Sequence, residues 1–125
     1  MKLRHDCVRD VLLAIEAHNE VSTFSFDMTL KPMLMKTYYY SENDLNYTIL
    51  QLIDAGFLDA KNVTNSGYIF LIDKITWSGN QFLDNIRDED SWKKAKEKVL
   101  AVGGVALPIV AQIAWDIAKD KLGIN

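Results

Sequence analysis

Cysteine occurs once, as Cys7. One thiol rules out an internal disulfide and a thiolate cage for zinc within one chain, and it fits a reducing compartment. A surplus of positive charge is also lacking. The 14 basic side chains are outnumbered by 17 acidic ones, for a net charge of −3, whereas a protein built mainly to grip phosphate carries a basic excess. A local patch can still act against the global sign. Long hydrophobic runs are missing too. The charge-free stretch from Val99 to Trp115 is broken by Gly103, Gly104 and Pro108 and carries Gln112. It falls short of the ~20 residues a membrane span needs, so it reads as two helix ends meeting at a buried corner. The N-terminus, Met1-Lys2-Leu3-Arg4-His5-Asp6, turns charged at once and has no apolar signal-peptide core. Internal repeats, low-complexity segments and linkers are absent. These features predict a single domain over 1–125 in the cytoplasm, with a core over about 6–87 and a helical extension over about 88–123.

What is present suits a folded globule. Apolar residues make up 49% and charged residues 25% of 125 positions, and a chain of this length buries roughly two-thirds of its unfolded surface. Val8, Val11, Leu12 and Ile15 recur at helical spacing and predict a helix over 6–18. The β-branched and aromatic stretch that follows, broken at Pro32, predicts a strand near 22–30. Ser41 with Asp44 resembles a capping box opening a helix that runs to about Ala55, with Leu45, Ile49, Leu52 and Ile53 as its apolar stripe and Gly56 as its left-handed terminator. Phe57–Ala60 and Tyr68–Ile72 read as strands around turn chemistry at Asn62–Gly67. Thr76 or Ser78 caps a short helix carrying Phe82, Leu83 and Ile86. A further helix over about 90–102 carries Trp92, Ala95 and Val99, and Pro108 suits the first turn of a last one over about 108–122. Helix, extended segment, helix, β-hairpin wing: this order predicts an α+β, winged-helix-like fold with added C-terminal helices. Leu52, Phe57, Phe70, Trp77 and Phe82 are its expected core.

Two segments carry a family likeness. Leu50-Gln51-Leu52-Ile53-Asp54-Ala55-Gly56-Phe57-Leu58 looks like the helix-to-wing junction of many winged-helix regulators, and Ile75-Thr76-Trp77-Ser78-Gly79 is similar to the L-T-x-x-G motif that opens the helix after the wing. Extended through Phe82-Leu83-Asp84-Asn85-Ile86-Arg87-Asp88 and Trp92-Lys93-Lys94-Ala95-Lys96, the sequence resembles a family of small bacterial and prophage proteins related to the YjcQ-like winged-helix group. Asn80 stands where that pattern has His, and residues 24–40 are longer than its usual stretch. The resemblance implies a fold and a bacterial or phage setting, and it assigns no site.

Catalytic machinery is thin. His5, Cys7 and His18 are the soft ligands and nucleophiles, and no Gly-rich phosphate loop, Ser elbow or paired-carboxylate pattern accompanies them. The expectation is no enzyme, no cofactor and no bound metal. As a DNA reader, the helix over 42–55 would present Glu42, Asn43, Asp44, Asn46, Gln51 and Asp54, with no Lys or Arg, to a polyanion. Nucleic-acid contact would fall instead to Lys61, Asn65 and Lys74 of the wing and to Lys93 and Lys94 of a basic run that also holds Lys96 and Lys98. Protein contact has other candidates: Tyr38, Tyr39 and Tyr40 beside Met33 and Met35, and, in the last helix, Ile109 and Trp115, which lean with Leu122 away from the stripe Val110, Ile113, Ala114 and Ile117. Pairing of that helix across a two-fold axis and its burial in an internal groove both remain open. The leading expectation is a protein-interaction or oligomerisation module, a homodimer included. A DNA-binding regulator using the wing and the basic helix is the alternative.

Overall fold

Cys7, Val8, Val11, Leu12 and Ile15 are all buried along one face of α1 (His5–His18), the face their spacing marks out. The computed structural model describes residues 3–18, 22–103 and 106–123. The chain divides into two compact units, Met1–Gly79 and Asn80–Asn125. Among the described residues there are six helices and a three-stranded antiparallel sheet, a mixed α+β architecture.

In the first unit, α1 is followed by β1 (Phe24–Ser25), α2 (Phe26–Tyr38), α3 (Glu42–Asp54), β2 (Leu58–Asn62) and β3 (Phe70–Ile75). The extended reading of 22–30 is corrected: only Phe24 and Ser25 pair with the sheet, opposite Ile72 and Leu71. From there the chain turns helical because Ser25 caps it, its hydroxyl accepting from the Met28 N–H at 3.3 Å. Phe26, Leu30 and Leu34, spaced by four, supply the buried face. Pro32 lies inside this helix on an exposed side rather than breaking the chain. Asp27 fixes the helix to the sheet, its carboxylate accepting from the Phe70 N–H at 2.8 Å.

The Ser41–Asp44 capping box forms as its residues require: the Ser41 hydroxyl accepts from the Asp44 N–H at 3.0 Å, and the Asp44 carboxylate accepts from the Ser41 N–H at 3.2 Å. Gly56 ends the helix region with φ +76°, a left-handed conformation that costs a glycine nothing. The strands β2 and β3 form an antiparallel hairpin with a bulge between Asp59 and Ala60, and the sheet order is β1-β3-β2. The Asn62 side chain organises the turn by donating to the Gly67 carbonyl at 2.9 Å and accepting from the Thr64 and Ile69 N–H groups.

Helix α4 (Trp77–Ile86) crosses the boundary between the units. Phe82, Leu83 and Ile86 are buried, but Trp77 is 80% exposed, which corrects its assignment to the core. The inward position in the first turn belongs to Gly79: a Cβ there would meet the Phe57 carbonyl oxygen at 2.1 Å. Trp77, two residues earlier, points some 160° away round the helix.

The second unit pairs α5 (Glu89–Ala101) with α6 (Leu107–Leu122). Asp88 caps α5, and Pro108 sits in the first turn of α6. Buried Trp92, Ala95 and Val99 on α5 and Leu107, Val110, Ala114 and Ile117 on α6 form the apolar faces. Ile113 is half-buried, and Gly104 lies outside the described residues.

Candidate functional site

The outward side of α3 is acidic and polar. Glu42, Asn43 and Asp54 are exposed, while Gln51 is half-buried and Asn46 is buried at 7% exposure. Asn46 therefore leaves the set of outward polar groups: it sits one position from Leu45 and three from Ile49, at the edge of the inward stripe. Asp44 is committed twice, to the capping box and to Arg4 at 3.1 Å. Against the upward pull of desolvation, the hydrogen bonds from Ser41 and the Arg4 guanidinium hold its carboxyl below the usual carboxylate range. Glu42 reaches Lys31 at 3.3 Å, and Lys31 is buried because Asp27 also pairs with it.

On the hairpin, Lys61, Asn65 and Lys74 are all exposed. Lys74 is the cross-strand neighbour of Asp59, and Lys61 that of Leu71. A surface cleft of about 300 Å³ is lined by Thr23, Asp59, Ala60, Lys61, Leu71 and Asp73. Thr23 donates to Asp73 at 3.2 Å. An anion approaching Lys61 there meets two carboxylates, so the hairpin face is mixed in sign rather than basic.

In the second unit Lys93 and Lys94 are exposed on α5. Lys94 pairs with Asp90 at 3.2 Å, and Lys96 lies over the Trp92 ring at 5.8 Å. Lys121 of α6 donates to Asp88 at 2.7 Å. That bond, with those from the Ser91 N–H and hydroxyl, pulls the Asp88 carboxyl down to about 2.

The three tyrosines part company. Tyr39 takes φ 60° as the C-cap of α2 and is 87% exposed, and Tyr38 is 48% exposed. Tyr40 is buried at 5%, donates to the Asp10 carboxylate at 2.6 Å and lies under the Arg4 guanidinium at 4.8 Å. Burial and the adjacent Asp10 carboxylate push its hydroxyl well above the ordinary phenol range. Tyr40 is thus withdrawn from any contact surface, and the triplet makes no continuous stacking platform.

Among the residues with soft chemistry, Cys7 is fully buried and accepts from the Thr48 hydroxyl at 3.3 Å. Burial pushes its thiol up to about 11, so it is an inert core group. The His18 ring packs on Phe24 with centroids 4.1 Å apart, and no group of His, Cys, Asp or Glu among the described residues is arranged to hold a metal.

Ile109 and Trp115 are both exposed on α6, at 51% and 41%. They do not share an edge: six residues apart, they stand about 120° from each other round the helix, on opposite flanks of the buried stripe. Leu122, 68% exposed, lies on the Trp115 flank.

No helix among the described residues is long and apolar enough to cross a membrane. The chain is similar to a Haemophilus influenzae (strain Rd) protein named "Uncharacterized protein", 24% identical over 126 residues that cover 98% of this chain and 99% of that one. No solved structure matches it. The family described as "Hypothetical protein (DUF2513)" matches residues 2–106, and the chain belongs to that family.

Proposed function

We propose that the chain is a winged-helix-like module of the bacterial or phage cytoplasm that makes protein contacts, its own oligomer included, and performs no catalysis. The winged-helix reading, and with it the kinship to the YjcQ-like group, is supported by the succession α1-β1-α2-α3-β2-β3 and the sheet order β1-β3-β2. In that scaffold α3 takes the place of the recognition helix.

One observation carries the choice of partner. Helix α3 holds no Lys or Arg, and its fully exposed side chains include the carboxylates of Glu42 and Asp54. Set against DNA phosphates, these repel. Large apolar side chains meanwhile stand in solvent: Met28, Tyr39, Trp77, Trp115 and Leu122. Aromatic residues and methionine are the types enriched where proteins meet proteins.

A second reading has its own support. Lys61 and Lys74 are exposed and form no ion pair among the described residues, so the hairpin could touch a phosphate backbone, with Asn65 at its tip; in the second unit Lys93 is a separate exposed cation, while Lys94 is paired with Asp90. An electrophoretic shift on duplex fragments at low and physiological salt separates the two. Absence of binding at low salt is the expected result, and micromolar, salt-sensitive binding overturns the protein-contact reading.

A further inference from the structure

The second unit leaves one helix face in solvent. On α6, Ala111, Trp115, Ala118 and Leu122 recur at steps of four, three and four. That spacing aligns them in one stripe along the helix, the spacing of a two-helix seam. It flanks the buried face made by Val110, Ala114 and Ile117. Trp115 and Leu122 are exposed, and Ala111 and Ala118, which precede them in turn along the stripe, are half-buried. The stripe alternates small and large along its whole length.

We propose that this stripe pairs antiparallel with the same stripe of a second copy, across a two-fold axis that passes between Asp116 and Ile117. The proposal rests on the protein-contact reading and names its partner. In this register Trp115 falls opposite Ala118 of the second copy, and Ala111 opposite its Leu122. Each large side chain enters the space above a small one, and the two-fold repeats the fit, so one stripe is complementary to itself.

Parallel pairing fails on the same residues. It sets Trp115 against Trp115 and Ala118 against Ala118, crowding one level and leaving a void at the next, and a void in a packed interface is destabilising. Charge favours the same orientation. Lys119, whose ammonium lies 5.8 Å from the Trp115 ring centroid, borders the stripe. Lys119 is paired with Asp116 of its own helix at 3.4 Å; parallel pairing brings two such ammonium groups to one level, whereas antiparallel pairing sets them apart along the seam. Antiparallel helices also set the positive end of one dipole beside the negative end of the other. A seam of four residues on a helix about 24 Å long is small, and interfaces of that class associate weakly.

The test uses the full chain with one added cysteine per variant, Ala111→Cys or Leu122→Cys, and a short bis-maleimide cross-linker at concentrations where the wild type self-associates. Cys7 is fully buried and does not compete for the reagent. The expected result is a covalent dimer in the equimolar mixture of the two variants and little or none with either alone. Cross-linking of each variant to itself overturns the antiparallel register. No cross-link in any sample, with a wild type that sediments as one chain, overturns self-pairing. The duplex-binding assay then tells the two claims apart. A single-chain protein that ignores DNA leaves protein contact standing with another partner, and one that binds DNA overturns both.

Discussion

The Thr76 hydroxyl donates to the carbonyl of Gly56 at 2.6 Å, joining the residue that ends the α3 region to the residue that opens α4. The Thr76 N–H donates to the neighbouring Phe57 carbonyl at 3.1 Å, and Ser78 adds a bond to the Gly56 carbonyl at 3.2 Å. The same threonine oxygen accepts from the Gly79 N–H at 3.1 Å, capping α4. Two short motifs twenty residues apart are therefore one structural device. It needs a left-handed glycine at 56, a hydroxyl at 76 and no side chain at 79.

Gly79→Ala is expected to be costly for that reason. The new methyl would stand 2.1 Å from the Phe57 carbonyl oxygen and 2.7 Å from the Ile75 side chain, and the nearer obstacle is backbone. A loss of about 3 kcal/mol is expected in urea unfolding, at the upper end of overpacking costs. A loss under about 1 kcal/mol would show that α4 can lift from Phe57 cheaply.

Phe82 and Trp77, five residues apart on the same helix, are predicted to behave in opposite ways. Phe82 is 2% exposed, and truncation to Ala should cost on the order of 3 kcal/mol or more. Trp77 is 80% exposed, and Trp77→Ala should change stability by no more than about 0.5 kcal/mol. Denaturant midpoints of the two variants check this, and comparable losses would contradict the orientation of α4.

Much of the fold could be read from residues whose local chemistry has a single outcome. Ser41 with Asp44, Gly56, the turn at Asn62–Gly67 and Pro108 each landed where their capping or turn roles demand. Helix α2 was hidden because Pro32 and the β-branched, aromatic neighbourhood outweighed a four-residue spacing of Phe26, Leu30 and Leu34. Trp77 misled because size suggests burial, while the inward position in that turn had to be a glycine. The acidic face of α3 was legible from composition alone. The split between Ile109 and Trp115 needed the helical angle, and the burial of Tyr40 needed Asp10, thirty residues away.

Alkaline pH should weaken the protein through Cys7. Its thiol is held neutral up to about 11 in the folded state, whereas in the unfolded chain it ionises near its ordinary value of 9.0. Stability from this group is complete below about 9 and is lost as pH rises towards 11, because only the unfolded chain gains by ionising in that window. Tyr40, raised by burial and Asp10, adds a slope of the same sign. Urea midpoints should fall between the two pH values, less so in Cys7→Ala, and an aromatic disulfide reagent should label Cys7 only after unfolding. Rapid labelling of the native protein would contradict its burial.

Self-association is the claim on which the functional account turns, and sedimentation equilibrium of the full chain tests it most directly. Over the range around 10 µM to 200 µM, the wild type should rise towards twice the 14.2 kDa chain mass. Trp115→Glu, which sets a carboxylate on the stripe at a position already 41% exposed, should hold the single-chain mass with an unchanged helical circular-dichroism spectrum. A wild type that keeps the single-chain mass throughout, or a Trp115→Glu variant that associates as the wild type does, would contradict the account.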